Sequence, residues 1–179
     1  MDDSAKGVKQ SVRRERRALR RQIAAGRDRA ADDRTLAAGG LELARSYGIG
    51  PGSTVLLYDA LAVEPPTAAL TAALQSLGAR VLYPITRTDF DLDWYDAADP
   101  DHTPLGRKSA TEAALAFIPG LTVDEGGGRL GQGGGCYDRV IPRLAPDVPV
   151  IVLLHPGERS ADPLPTEPHD ARVDGVLTA

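Results

Sequence analysis

The sequence predicts an α/β fold: a mostly parallel sheet covered by helices on both faces, in three layers. Two observations carry this expectation. Short apolar runs at 54–58, 81–85, 113–118 and 148–154 read as buried strands, and segments of helical character stand between most of them. The chain has 179 residues, with 42% apolar and 26% charged side chains. That is enough for one domain with its own core, expected over residues 1–179, and not enough for two of comfortable size.

Taken in order, Val12, Leu19 and Ile23 form a narrow apolar stripe on a helix from about Lys9 to Ala25, whose other faces are strongly basic. So thin a stripe places this helix on the surface. A second helix is expected over Asp32–Tyr47, capped by Asp32 or Asp33, with Leu36, Leu43 and Tyr47 turned inward. Gly48, Gly50, Pro51 and Gly52 stop it. Thr54–Tyr58 is the first strand. The Glu64-Pro-Pro-Thr67 turn opens a helix to Leu77, and Val81–Ile85 is the next strand. Phe90–Tyr95 alternates like an edge strand or hairpin arm. Ala97–Thr111 is polar and aperiodic. Ala113–Ile118 is a buried strand closed by Pro119-Gly120, a helix is expected over Tyr137–Leu144, and Val148–Leu154 and Val173–Leu177 complete the strands.

Charge is unevenly spread. Residues 1–29 contain ten Lys/Arg against four acids, so this segment carries +6 within a chain of net charge −4. A nucleic-acid arm, a site for an anionic ligand, and a helix docked on an acidic body all fit such asymmetry. One cysteine, Cys136, excludes an internal disulfide and a cysteine-rich zinc site. No apolar run reaches the length of a membrane span and Met1–Gly7 has no signal-peptide core, so a cytoplasmic location is expected by elimination. His102, His155 and His169 form no convincing metal or triad set.

Residues 126–135 contain seven glycines and sit between a strand and a helix. A run of that kind lets successive backbone amides converge on one point, with a helix N-terminus behind them, which is how proteins hold anions without a large side chain. Arg129 adds a fixed positive charge, and Asp138 is placed to cap the helix or meet a cation that accompanies a nucleotide. No Gly-Lys-Ser/Thr ends the run, so it is not a Walker loop. It stands too late in the chain for a Rossmann fingerprint. A flexible structural loop is the plain alternative.

Phe117-Ile-Pro-Gly-Leu121 followed by Arg129-Leu-Gly-Gln-Gly-Gly-Gly-Cys-Tyr-Asp-Arg139 resembles the signature of the 5-formyltetrahydrofolate cyclo-ligases, also called methenyltetrahydrofolate synthetases. Lys9-Gln-Ser-Val-Arg13 is similar to the family's amino-terminal Lys-x-x-x-Arg. Glu64-Pro-Pro-Thr67 is similar to its Glu-x-x-Thr, and Glu167-Pro-His-Asp170 with Val173-Asp174 to its carboxyl-terminal segment. The resemblance implies a three-layer architecture like that of NagB, RpiA and the CoA transferases. It also implies the ATP- and Mg²⁺-dependent conversion of 5-formyltetrahydrofolate to 5,10-methenyltetrahydrofolate, ADP and phosphate. Phosphoryl transfer to the formyl oxygen would make that oxygen a leaving group, and the N10 amine would close the ring.

The roles so implied are as follows. Lys9, Arg13 and Arg129 neutralise phosphate oxygens and carry the catalysis. Those three, with Leu130, Gly131, Gln132, Gly133, Gly134, Gly135, Cys136 and Tyr137, hold ATP. Glu64 orients the reduced folate beside Gln132, Gly133, Gly134, Gly135 and Cys136, while Asp138 and Asp170 hold Mg²⁺. A small-molecule partner is expected, with no nucleic acid and no membrane. The chain departs from the family pattern at Cys136, where a tyrosine is usual, and between Trp94 and Ala113, where Pro104-Leu-Gly-Arg-Lys108 replaces a longer segment with a Glu-Pro element. Two rival readings stand beside this one: a paralogue using ATP chemistry on another substrate, and a non-enzymatic nucleotide- or nucleic-acid-binding module built on the basic helix.

Overall fold

In the computed structural model, residues 2–167 and 170–179 are described, so Pro168 and His169 of the carboxyl-terminal motif lie outside the described residues. The chain opens with α1 (Asp2–Ala25) and α2 (Arg29–Ser46). It continues through β1 (Thr54–Leu56), α3 (Ala68–Ser76), β2 (Arg80–Thr86), β3 (Leu92–Asp96) and β4 (Ala113–Pro119). A hairpin of two-residue strands, β5 (Thr122–Val123) and β6 (Arg129–Leu130), precedes α4 (Cys136–Val140), β7 (Val150–Leu154) and β8 (Gly175–Thr178).

Six strands form one mixed sheet in the order β3-β2-β1-β4-β7-β8. Every pairing is parallel except β2 with β3, which run antiparallel, as the alternating segment at the edge predicts. The strands sort their side chains by parity. Val55, Leu57, Val81, Leu115, Phe117, Ile151 and Leu153 join Leu36, Ala44, Leu70 and Leu74 of α2 and α3 on one face. Leu56, Leu82, Ala116, Ile118, Val152 and Leu154 meet Trp94, Tyr137 and Val140 on the other. Successive strand residues point to opposite faces, so a continuous apolar run requires cover on both sides. Gly40 lets α2 and α3 approach closely: a Cβ there would lie 2.6 Å from Leu70 Cδ1.

Three boundaries differ from expectation for physical reasons. The cap of α2 is Asp28, whose carboxylate accepts from the amides of Ala30 and Ala31. Asp32 instead lies buried within the helix, gripped by Arg27 at 2.5 Å through both carboxylate oxygens. Tyr47 is exposed rather than inward, because the helix has ended and Tyr47 occupies its cap. Finally, the helix expected over Tyr137–Leu144 is only five residues long and passes into a 3-10 turn at Ile141–Arg143. Pro142 has no N–H to donate and its ring clashes with the preceding turn.

α1 docks by charge rather than by its thin apolar stripe. Val12, Leu19 and Ile23 are only half-buried, whereas Lys9 and Arg20 are 4% and 2% exposed. Arg16 donates to Ser160 Oγ (3.3 Å), and Arg20 makes a two-pronged pair with Glu158 (both 2.7 Å) while donating to the carbonyl of Gly120 (2.5 Å). No helix among the described residues is long and apolar enough to cross a membrane.

Candidate active site

The chain leaves β1 toward β2 on one side, while β4 occupies β1's other flank and leads on to β7 and β8. Open parallel sheets form a crevice where the strand order reverses in this way, outside the carboxyl ends of the strands. A cavity of about 750 Å³ lies there. Tyr58, Leu61 and Glu64 line it from the loop after β1, and Pro119 and Gly120 from the end of β4. Lys9, Arg13 and Arg20 of α1 reach it, as do the 129–139 segment, Glu167 and Asp170. Every residue to which a role was assigned from the sequence therefore borders this one cavity, although the residues come from four separate parts of the chain.

The glycine run divides in two. Gly126–Gly128 form the turn of the β5–β6 hairpin, folded around Asp124, whose carboxylate accepts from the amides of Gly128 (2.7 Å) and Leu164 (2.8 Å). Gly131–Gly135 line the cavity. Their carbonyls are tied down by guanidinium groups: Gly131 by Arg13 (3.2 Å), Gln132 by Arg17 (2.6 Å) and Gly134 by Arg139 (2.8 Å). Gly133 has φ +114°, a conformation that favours glycine. The short α4 supplies too little helix for the dipole expected behind this loop, so positive charge at the cavity comes from side chains.

Arg129 is not on a mobile loop. It is anchored in β6, 8% exposed, donating to Pro119 O (3.1 Å) and Asp138 Oδ1 (3.1 Å), with its guanidinium carbon 5.7 Å from the Tyr137 ring centre. Its Nε is buried without a hydrogen-bond partner among the described residues, as are the hydroxyls of Tyr58 and Tyr137. Burial raises both phenol pKa values, so the two hydroxyls remain protonated. Lys9 Nζ donates to Glu167 Oε2 and, at 2.6 Å, to Asp170 Oδ2. Burial pulls its pKa down, but the hydrogen bonds and charges of Asp170 and Glu167 outweigh that, and the net shift is upward. The lysine is therefore a cation at neutral pH.

Glu64 is 7% exposed, and its Oε2 accepts from the Leu61 amide at 3.0 Å. Cys136 borders the cavity, with a thiol whose pKa burial pushes up. The segment that replaces the Glu-Pro element packs on β3: Leu105 N donates to Trp94 O (2.8 Å), and Arg107 reaches Asp89 (2.6 Å) and Asp91 (2.9 Å). Sequence reasoning missed Arg20 and Tyr58. Arg20 had a signal, since Lys9, Arg13, Arg16 and Arg20 fall at i, i+4, i+7 and i+11, the spacing of one helix face. Tyr58 read only as the end of a strand.

Fold and cavity together define a class: an α/β protein with a cation-rich, glycine-lined cleft at the switch point of a mostly parallel sheet. Comparison with known proteins narrows it. The model of the 5-formyltetrahydrofolate cyclo-ligase family matches residues 5–179. The chain is 35% identical over 144 residues to a 5-formyltetrahydrofolate cyclo-ligase of Mycolicibacterium smegmatis, covering 71% of this chain and 74% of that one. In structure it is similar to a 5,10-methenyltetrahydrofolate synthetase from Mycoplasma pneumoniae, with TM-score 0.70, 20% identity, and coverage of 90% and 96%. It is also similar to that of Aquifex aeolicus, with TM-score 0.63, 17% identity, and coverage of 91% and 89%. The chain belongs to the 5-formyltetrahydrofolate cyclo-ligase family.

Proposed function

We propose that this protein is a 5-formyltetrahydrofolate cyclo-ligase that uses ATP and Mg²⁺ to form 5,10-methenyltetrahydrofolate, releasing ADP and phosphate. The observation that carries the reading is the convergence of Lys9, Arg13 and Arg129 with Asp138 and Asp170 on one glycine-lined cavity. Two of the cations are paired with the two aspartates, Lys9 with Asp170 and Arg129 with Asp138. That donor set suits a magnesium–triphosphate, because phosphate oxygens satisfy the cations and the metal satisfies the carboxylates. Among the described residues no group of three or more His, Cys, Asp or Glu forms a metal cage. Mg²⁺ in nucleotide sites commonly takes one or two carboxylates and completes its shell with phosphate and water. The Nε of Arg129, which has no partner among the described residues, is a further donor suited to an anion.

ATP supplies the phosphoryl group that turns the formyl oxygen into a leaving group. The residues of this chain have mainly to position and neutralise. Arg129, fixed by Pro119 O, presents a guanidinium that does not need to reorganise as charge develops. Arg13 holds the Gly131 carbonyl, and with it the loop that borders the phosphate side. Glu64 orients the folate by accepting from its ring N–H groups, and Leu61, Leu92 and Pro84 offer apolar wall to the ring system. Cys136 needs no chemical role. The folate, a small molecule, is the partner, and residues 1–179 act as one domain.

The test is direct. Purified protein with 5-formyltetrahydrofolate, ATP and Mg²⁺ should develop the absorbance of the methenyl product, and should not do so when ATP is omitted. Turnover without ATP, or none from a folded protein, would overturn the assignment. ATP hydrolysis driven by a different formylated compound would instead favour the paralogue reading.

A further inference from the structure

The four carbonyls from Leu61 to Glu64 are all taken by two side chains from distant parts of the chain. Arg29, the first residue of α2, donates through Nη2 to Leu61 O (3.2 Å) and through Nη1 to Ala62 O (3.0 Å) and Glu64 O (2.6 Å). His155, which follows β7, lies with Nε2 3.2 Å from Val63 O. A carbonyl only accepts, so His155 carries its proton on Nε2. The other ring nitrogen, Nδ1, is buried with no hydrogen-bond partner among the described residues and lies 3.8 Å from Asp32 Oδ2. Within the loop, Glu64 N donates to Leu61 O (2.9 Å) and Glu64 Oε2 accepts from Leu61 N (3.0 Å). One carboxylate oxygen is thus committed to the loop itself. Oε1 makes no hydrogen bond among the described residues.

Each anchor is itself held. Asp28 caps α2 and so fixes the first turn from which Arg29 projects. The backbone N–H of His155 donates to Glu158 Oε2 (2.8 Å), and Glu158 is the buried partner of Arg20. A four-residue loop that carried an exposed Leu61 and Val63 and no such ties would sample many conformations. Here every carbonyl of the loop and one oxygen of its carboxylate have a partner.

We propose that Arg29 and His155 are positioning residues that hold the Leu61–Glu64 loop so that Glu64 meets the folate without reordering. This rests on the folate reading for its consequence, but not for the placement of the loop. Neither side chain need touch substrate. Arg29 is exposed, so removing it leaves the core intact.

The experiment has two arms on the full-length chain. Without ligand, amide hydrogen exchange at Leu61 and Glu64 should speed up at least ~10-fold in Arg29→Ala and in His155→Ala. Recovery is expected in Arg29→Lys and in His155→Gln, whose amide N–H can still reach Val63 O. With ligand, Arg29→Ala should raise the KM for 5-formyltetrahydrofolate ~10-fold while leaving the KM for ATP within ~2-fold. In a Glu64→Ala background the same substitution should add nothing. Unchanged exchange in Arg29→Ala overturns the proposal even if His155→Ala fails to fold. An equal rise in both KM values, or a full additional effect in the Glu64→Ala background, overturns the route through Glu64. Failure of the wild-type chain to bind the folate would defeat the functional reading alone, and exchange would still decide whether these two residues hold the loop.

Discussion

Lys9 Nζ lies 2.6 Å from Asp170 Oδ2, joining residues 161 positions apart that both line the cavity. The amino-terminal helix and the carboxyl-terminal segment are thereby parts of one site. Lys9→Met removes the cation and keeps most of the aliphatic stem. It should lower kcat/KM for ATP by at least ~100-fold, on the scale of losing one charge-assisted contact to a transition state. A steady-state assay with ATP varied checks this, and a near-normal value would remove Lys9 from the phosphate site.

Arg129 is buried and holds Pro119 O, and the proposed mechanism gives it a chemical role as well. Arg129→Ala should abolish measurable turnover and also lower stability by about 1–3 kcal/mol, because Pro119 O loses its donor inside the fold. Asp138→Asn keeps the shape of the side chain. It should cost activity at sub-saturating Mg²⁺ far more than at high Mg²⁺, with little change in the denaturant midpoint. Magnesium titrations of wild type and variant distinguish these outcomes.

The two halves of the glycine run should respond differently to alanine. A Cβ on Gly127 would stand 2.5 Å from the backbone oxygen of Val173, at φ +77°. Gly127→Ala should therefore lower the melting temperature by several degrees, an effect on the order of 1–3 kcal/mol. Gly133 has φ +114°, but a Cβ there would make only ordinary van der Waals contact, nearest to Arg13 Nε at 3.6 Å. Gly133→Ala should chiefly weaken ATP use, with a smaller loss of stability. Paired thermal melts and kinetics on both variants provide the check.

Asp91 should make stability acid-sensitive. Arg143 grips it at 2.8 and 3.0 Å and Arg107 at 2.9 Å, and this holds its pKa below the usual carboxylate value despite burial. A carboxylate with a depressed folded-state pKa stabilises the fold fully above its unfolded pKa of about 3.9. The contribution disappears as pH falls from there through the folded value. Asp91→Asn should lose about 1–3 kcal/mol at pH 7 and show a shallower decline below pH 4 than wild type. Urea titrations across pH 2.5–7 read both.

Cys136 borders the cavity, and the proposed mechanism asks no chemical step of its thiol. Its raised thiol pKa makes it a poor nucleophile at neutral pH, and no step of the reaction calls for one. Cys136→Ala should keep kcat within ~3-fold, measured by methenyl absorbance, and a loss beyond ~100-fold would contradict the mechanism.

The sequence by itself determined the layered fold, since apolar runs with helical segments between them can only bury both faces of a parallel sheet. It also held the ordered run from Arg129 to Arg139, which resembles the signature of the family whose model matches the chain. The length of α4 was misread because Pro142 broke a helix that apolar spacing alone extended. Only the tertiary structure decided that α1 binds through Lys9 and Arg20 rather than through its apolar stripe, and that the glycine run serves two purposes. Ion pairs such as Lys9–Asp170 and Arg20–Glu158 link positions more than a hundred residues apart. Periodicity reports only neighbours along the chain. Which distant carboxylate a lysine finds is fixed when the sheet order brings the loops after β1, β4 and β7 to a common edge.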